Sequence, residues 1–371
     1  MTSWQRVLAA LNHREPDRVP LDIGGSLATG INVVAYQALK EFLDLDTPTV
    51  LASRRSQTAV VEDAVRERLG IDTAGILARG PSDAEILLPD GGYRDEWGVV
   101  RHKPETGHYY VTRPPFAGHP TLSDLAAFPW PDPDDPGYVQ CLRQEHQALR
   151  GTDYAIILSL PVGFVHQAQF MRGYADYMVD LLVAPRFAEE LMDHILEINL
   201  TVTGRMLETV GGDVDVVLYA DDLGCQDQPM LSPDLYRRLV KPRQRQLVDF
   251  VKARTAARAM YHTCGAVYPL IGDFVDVGID VLNPVQTTAA GMEPARLKAE
   301  FGRDLVFWGG VDLQRLLPYG TPAGVMAAVR ELVACLGRDG GFVVSAANIV
   351  QPDVPPQNLW AMARAVVGEN G

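Results

Sequence analysis

"ARAMYHTCGAVYPLIGDFVDVGIDVLNPVQ", residues 257–286, holds two short apolar runs with one helical stretch between them. Each run, "ARAMYHTCG" and "IDVLNPVQ", passes from apolar to polar residues at its carboxyl end. That order reads as strand, helix, strand, and parallel strands need a crossover long enough for a helix. The same rhythm extends on both sides. Upstream lie "YAIILSLPVG" and "VDVVLYADDLG"; downstream lie "DLVFWGGVD" and "GFVVSAAN". Helical patterns separate them. In "PRFAEELMDHILEINLTVTGRMLETVG", Pro185 suits a first helical turn, and Phe187, Leu191, Ile195 and Ile198 share a face. Ser232 followed by Pro233 opens another helix.

These runs make six strands. The N-terminal part adds "RVPLDIGG" and, after a helix predicted over "RRSQTAVVEDAVRERLG", "DTAGILARG". Eight strands alternating with helices predict an α/β fold, a single (β/α)8 TIM barrel spanning residues 1–371. The rival is a doubly wound sheet, which carries a phosphate loop after its first strand. "LDIGGSLATG" does not fit G-x-G-x-x-G. One segment interrupts the rhythm: "PDGGYRDEWGVVRHKPETGHYYVTRPPFAG" has two β-rich arms around "KPETG". It predicts a β-hairpin insertion, about residues 84–118, between strands 2 and 3.

The formal charge of -14 argues against nucleic acid or an anionic membrane as a partner. No apolar run reaches a spanning length. The N-terminus reads as an amphipathic helix rather than a signal peptide, with Trp4, Val7, Leu8 and Leu11 at helical spacing. Cys141, Cys225, Cys264 and Cys335 follow no disulfide spacing. A cytoplasmic protein with free or metal-bound thiols is expected.

In a barrel, chemistry sits at the carboxyl ends of the strands. Those ends carry His166, Tyr219, Asp221, Asp222, His262, Cys264, Asn283, Gln286, Asp312 and Asn348. His262 and Cys264 are two residues apart, so both side chains point the same way. Imidazole and thiolate are zinc ligands. The alternatives are a buried Cys packing as a small hydrophobe beside a hydrogen-bonded His, or a Cys–His nucleophile pair. For Asp221 and Asp222, one residue facing the mouth and one binding the next helix competes with both being turn formers. Asp221, Asp222 and Asp312 are the catalytic candidates. Tyr219, Asn283, Gln286, Asn348 and His166 are the candidates for substrate contact.

With those residues placed, the chain resembles the uroporphyrinogen decarboxylase superfamily. The resemblance runs in order through "RVLAALNHREPDRVPLDIGG", "DEWGVV", "MRGYADYMVDLL", "ADDLGCQ", "HTCGAVYPLIGDFVDVGIDVLNPVQ", "FWGGVD" and "QPDVPPQNLWAM". It implies a distorted (β/α)8 barrel. The decarboxylases of this superfamily work without a cofactor and carry an M-R-Q-A-G-R motif whose arginines bind carboxylates. "LDIGGSLATG" has no arginine at that place. The other branch comprises zinc methyltransferases that work with a corrinoid or methylcobalamin. They carry H-x-C after strand 5, matched by His262 and Cys264, and a further Cys after strand 8, where this chain has Asn348.

The resemblance therefore implies a methyltransferase moving a methyl group between a small methylated substrate or thiol and a corrinoid. Zinc would be held by His262 and Cys264, with the third ligand open, Asp222 leading. The chain shows no D-x-H-x-x-G cobalamin motif, so the corrinoid is expected on a partner protein. A homodimer is also implied. A cofactor-free decarboxylase and a non-catalytic tetrapyrrole- or corrinoid-binding barrel are the competing expectations.

Overall fold

The computed structural model describes residues 1–105 and 107–368. Seven parallel strands form one curled sheet: β1 (Thr73–Leu77), β2 (Ala155–Ser159), β3 (Val216–Ala220), β4 (Arg258–His262), β5 (Val281–Val285), β6 (Val306–Val311) and β7 (Phe342–Ala346). Each pairs with its neighbour in chain order, and helices connect them on the outside. This is the predicted α/β TIM barrel.

The predicted first strand is reduced to its hydrogen bonds. Residues 20–22 lie between β7 and β1, where Leu21 bridges Val344 in parallel and the Asp72 amide donates to the Leu21 carbonyl at 2.9 Å. Pro20 has no N–H to give to a ladder, and the chain turns away at Gly24, whose φ is 81°. A three-residue segment thus fills the eighth position, which is where the barrel departs from regularity.

Asp72 fastens this closure from below. Its buried carboxylate accepts from Arg6 Nη1 at 2.7 Å, from Arg18 Nη1 at 2.6 Å and from the Leu21 amide at 2.9 Å. Arg6 belongs to α1 (Ser3–Leu11), which begins with a Thr2–Gln5 capping box and buries Val7, Ala10 and Leu11. Those three join Ala155, Val216, Leu218, Met260, Val306 and Trp308 in one inner cluster. The helix therefore plugs the amino-terminal end of the barrel. Burying Val7 and Leu11 there stabilises the fold by roughly 1.5–3 kcal/mol each.

Two expectations need correction. Residues 54–62, read as the start of a helix, instead hold a turn and the strand Thr58–Ala59, which pairs antiparallel with Leu51–Ser53, and the helix is confined to Asp63–Leu69. Gln57 adopts a φ of 52° at the turn, and the β-branched Thr58 follows it. The inserted hairpin is a four-stranded antiparallel sheet: Ile86–Leu87, Tyr93–Arg94, Val100–His102 and Tyr110–Arg113. The predicted arms around residues 103–107 are its last two strands. "PDGG" makes a second turn, with Gly91 at a φ of 84°.

Candidate active site

Strand alternation decides which strand-end residues enter the mouth. On β3, Val216 and Leu218 belong to the inner cluster, while Tyr219 packs outward. Continuing that alternation past Ala220 turns Asp222 inward and Asp221 outward. On β4, Met260 is inner, so His262 and Cys264 follow it inward. On β5, Val281 is inner and Asn283 follows. β3, β4 and β5 are neighbours, which brings four polar side chains to one spot.

Asp222, His262 and Cys264 each offer a ligand atom, and these atoms lie within 4.8 Å of one another. His262 Nε2 is 3.4 Å from Cys264 Sγ and 3.9 Å from Asp222 Oδ1. The Cys264 amide donates to Asp222 Oδ1 at 2.7 Å, which ties the two loops. His262 Nδ1 sits 2.5 Å from Asn283 Oδ1, and Asn283 Nδ2 donates to the Trp308 carbonyl at 3.3 Å. Nδ1 is therefore the protonated nitrogen, and the Nε2 lone pair faces Asp222 and Cys264. Asn348 Nδ2 donates to Cys264 Sγ at 3.1 Å, and its Oδ1 accepts from the Ile349 amide. His166 Nε2 lies 3.5 Å from Asp222 Oδ2.

Electrostatics follow from this crowding. Burial pushes the Cys264 thiol up, and the Asp222 carboxylate pushes it further. Burial also opposes ionisation of Asp222, but His166, His262 and the Cys264 amide outweigh it and hold its carboxyl below the ordinary value. Burial lowers His166 against the pull of Asp222.

The 3.4 Å between His262 Nε2 and Cys264 Sγ is close to one edge of a tetrahedral zinc shell, where Zn–S is about 2.3 Å and Zn–N and Zn–O about 2.0–2.2 Å, while the 3.9 Å to Asp222 Oδ1 is wider than such an edge, so the carboxylate would have to close in on a bound ion. A cation would also reverse the cause of the raised thiol, since it favours the thiolate that burial alone disfavours. The three residues therefore fit zinc.

The remaining predicted residues fall elsewhere. Asp221 is fully buried against the helix Phe164–Arg172, where its Oδ1 accepts from the His166 amide at 2.7 Å. Burial raises its carboxyl to about 8. A Cβ on Gly163 would meet that carboxylate at 2.3 Å, so Gly163 leaves room for it. Tyr219 stacks on Tyr261 at 4.7 Å and hydrogen-bonds Gln244 behind the sheet, away from the mouth. Asp312 caps the next turn, accepting from the Gln314 and Leu316 amides at 2.7 and 3.0 Å. Gln286 accepts from the Gly265 amide at 2.9 Å and so supports the "HTCG" loop.

That loop is also held by a backbone crossing. A Cβ on Gly224 would lie 2.5 Å from the Cys264 carbonyl oxygen, and one on Gly265 would lie 2.5 Å from the Cys225 oxygen. Gly224→Ala is expected to displace Cys264, costing roughly 1–3 kcal/mol of stability and weakening metal binding. Urea unfolding and zinc titration read both. An unchanged variant would show that the loops yield freely.

Beside the mouth, a cavity of about 770 Å³ runs from Ser159, at the end of β2, to the inserted sheet. Arg55, Glu96, Arg101 and Gln167 line it, and sequence reading named none of them as site residues. No motif marks them: they come from the Leu51–Ala59 pair, the insertion and a helix, and meet only in three dimensions.

The family profile described as Uroporphyrinogen decarboxylase (URO-D) matches residues 112–368. A uroporphyrinogen decarboxylase from Pseudomonas paraeruginosa is 24% identical over 256 residues, which is 66% of this chain and 68% of that protein. Among solved structures, a methyltransferase from Methanosarcina mazei superposes with a TM-score of 0.68 at 20% identity, covering 98% of both chains. With a family match over more than half its length on a barrel of this form, the chain belongs to the uroporphyrinogen decarboxylase (URO-D) family.

Proposed function

We propose that this enzyme is a zinc-assisted methyltransferase, moving a methyl group between a small methylated substrate or thiol and a corrinoid carried by a partner protein. The observation that carries this reading is the convergence of Asp222, His262 and Cys264 within 4.8 Å. Zinc, when bound, would supply Lewis acidity toward the heteroatom that gains or loses the methyl group.

The protein's own residues do the preparation. Asn283 accepts from His262 Nδ1 and so leaves Nε2 of the neutral ring as the acceptor facing the trio. The Asn348 amide donates to Cys264 Sγ and so favours the thiolate over the thiol. Asp222 supplies a hard oxygen where the resemblance leads one to expect a second thiolate, which leaves more positive charge on the centre. His166 Nε2, 3.5 Å from Asp222 Oδ2, stands beside the trio where it can exchange a proton with a bound thiol.

A second reading, a cofactor-free decarboxylase, is favoured by the family and by the Pseudomonas relative. Two measurements separate them. Protein purified without chelator is expected to carry about one zinc per chain. It is then mixed with methylcobalamin and 2-mercaptoethanol, and loss of the methylcobalamin spectrum is followed. Absence of stoichiometric metal, together with CO2 release from a carboxylated substrate, would reverse the assignment.

A further inference from the structure

The 770 Å³ cavity has an unusual charge inventory. Most ionic groups in its wall are already paired. Arg54 meets Glu85 at 2.5 Å, Arg101 meets Asp95 at 3.1 Å, and Arg79 meets Glu145. Asp83 is exposed at the rim. Arg55 differs: it is half-buried, and among the described residues no carboxylate lies within ion-pair distance of its guanidinium. Burial and the neighbouring Arg101 push it down to about 10, so it keeps its charge at neutral pH. Glu96, whose carboxyl burial and Asp95 raise to about 7, is only partly ionised at neutral pH and, with Asp95, acts on Arg55 from beyond ion-pair distance.

Unpartnered donors accompany it. The amide Nε2 of Gln167 and the hydroxyl of Tyr138 are buried without a hydrogen-bond partner, and both residues line the cavity. A guanidinium with no ion-pair partner among the described residues, beside two idle donors, is a built complement to an oxyanion. The cavity is also linked to the reaction centre. The Phe170 ring stacks on His166 at 5.5 Å, and Arg55 and Arg101 sit over the same ring at 5.5 and 4.4 Å. His166 in turn touches Asp222.

We propose that this cavity holds a carboxylate of the substrate, with Arg55 as the anchor and Gln167 and Tyr138 as supporting donors. The substrate class is then a small carboxylic acid whose reacting group faces Asp222, His262 and Cys264. This orientation rests on the reading of that trio as the reaction centre; the anion site itself does not.

The test uses the full chain stripped of metal and titrates benzoate, neutral benzamide of the same shape, and inorganic phosphate. Benzoate is expected to bind at least tenfold more tightly than benzamide or phosphate. Arg55→Gln is expected to lose at least tenfold in benzoate affinity. Arg54→Gln, whose partner is Glu85, is expected to stay within twofold. His262→Ala is expected to leave benzoate binding unchanged, which separates this site from the fate of the methyl-transfer reading. Phenylglyoxal modification of Arg55 in the unmutated chain, slowed by benzoate and not by benzamide, provides a readout that survives a misfolded variant. Equal binding of benzoate and benzamide, or full affinity in a folded Arg55→Gln, would overturn the proposal. Phosphate bound more tightly than benzoate at Arg55 would overturn the carboxylate assignment.

Discussion

Cys264→Ser and His262→Ala are each expected to weaken zinc binding by about 100-fold or more, at or above the roughly 10–100-fold cost of losing an outer partner of a ligand. Competition with a chromogenic chelator at pH 7.5 measures this directly. The geometry also sets a graded series. Asn283→Ala removes the acceptor on His262 Nδ1 and frees the tautomer, so a loss of about 10–100-fold is expected with both ligands intact. Asn348→Cys makes the opposite change. The Asn348 amide lies 3.1 Å from Cys264 Sγ, so a thiolate there reaches the same centre. Tighter zinc binding is expected, with slower turnover if a harder ligand set serves the chemistry better. Zinc affinity indifferent to both Cys264→Ser and His262→Ala would end the metal reading.

Asp72→Ala is expected to destabilise the fold by about 3–5 kcal/mol, the cost of leaving buried charges without their partner. Asp72 is fully buried and receives two arginines and the Leu21 amide. Its loss leaves Arg6 and Arg18 facing each other's charge and removes one of the few bonds holding residues 20–22 in the eighth barrel position. The urea midpoint reads the effect, provided the slope is unchanged. Asp17→Ala is a suitable contrast. Asp17 also binds Arg6, at 2.7 Å, but its side chain is 42% exposed, so a cost below about 1 kcal/mol is expected. If Asp72→Ala costs no more than Asp17→Ala, the closure does not depend on this network.

Seven of the eight predicted strands exist because their sequences are near-continuous apolar runs ending in polar residues. That pattern is local and survives any tertiary context in which both faces are covered. The eighth, at residues 20–22, is reduced to a parallel bridge because its stability is not local: Pro20 and the glycines weaken it, and Asp72 supplies what the ladder lacks. The insertion was visible as β-rich arms, yet strand count depended on a turn at Gly91 that composition alone underweights.

The site divides along the same line. Two-residue spacing on one strand is enough to say that His262 and Cys264 share a face, because alternation is a property of the extended backbone. The same rule, extended past the strand end, separates Asp222 from Asp221 only once the inner face of β3 is known. Sequence could not reveal that Tyr219 looks outward, that Asn283 serves His262, or that Asp312 caps a turn. Those roles depend on which neighbours the barrel brings alongside. The arginine-lined cavity was least legible of all. Arg55, Arg101 and Gln167 lie on separate elements, and a lone arginine in a sequence carries no sign of whether folding will give it a carboxylate. Sequence thus determined the barrel and the "HTC" pair, both products of short-range periodicity. Only the tertiary structure decided which side chains stand beside the pair and that, among the described residues, Arg55 has no ion-pair partner, because those depend on long-range contacts between strands and insertions.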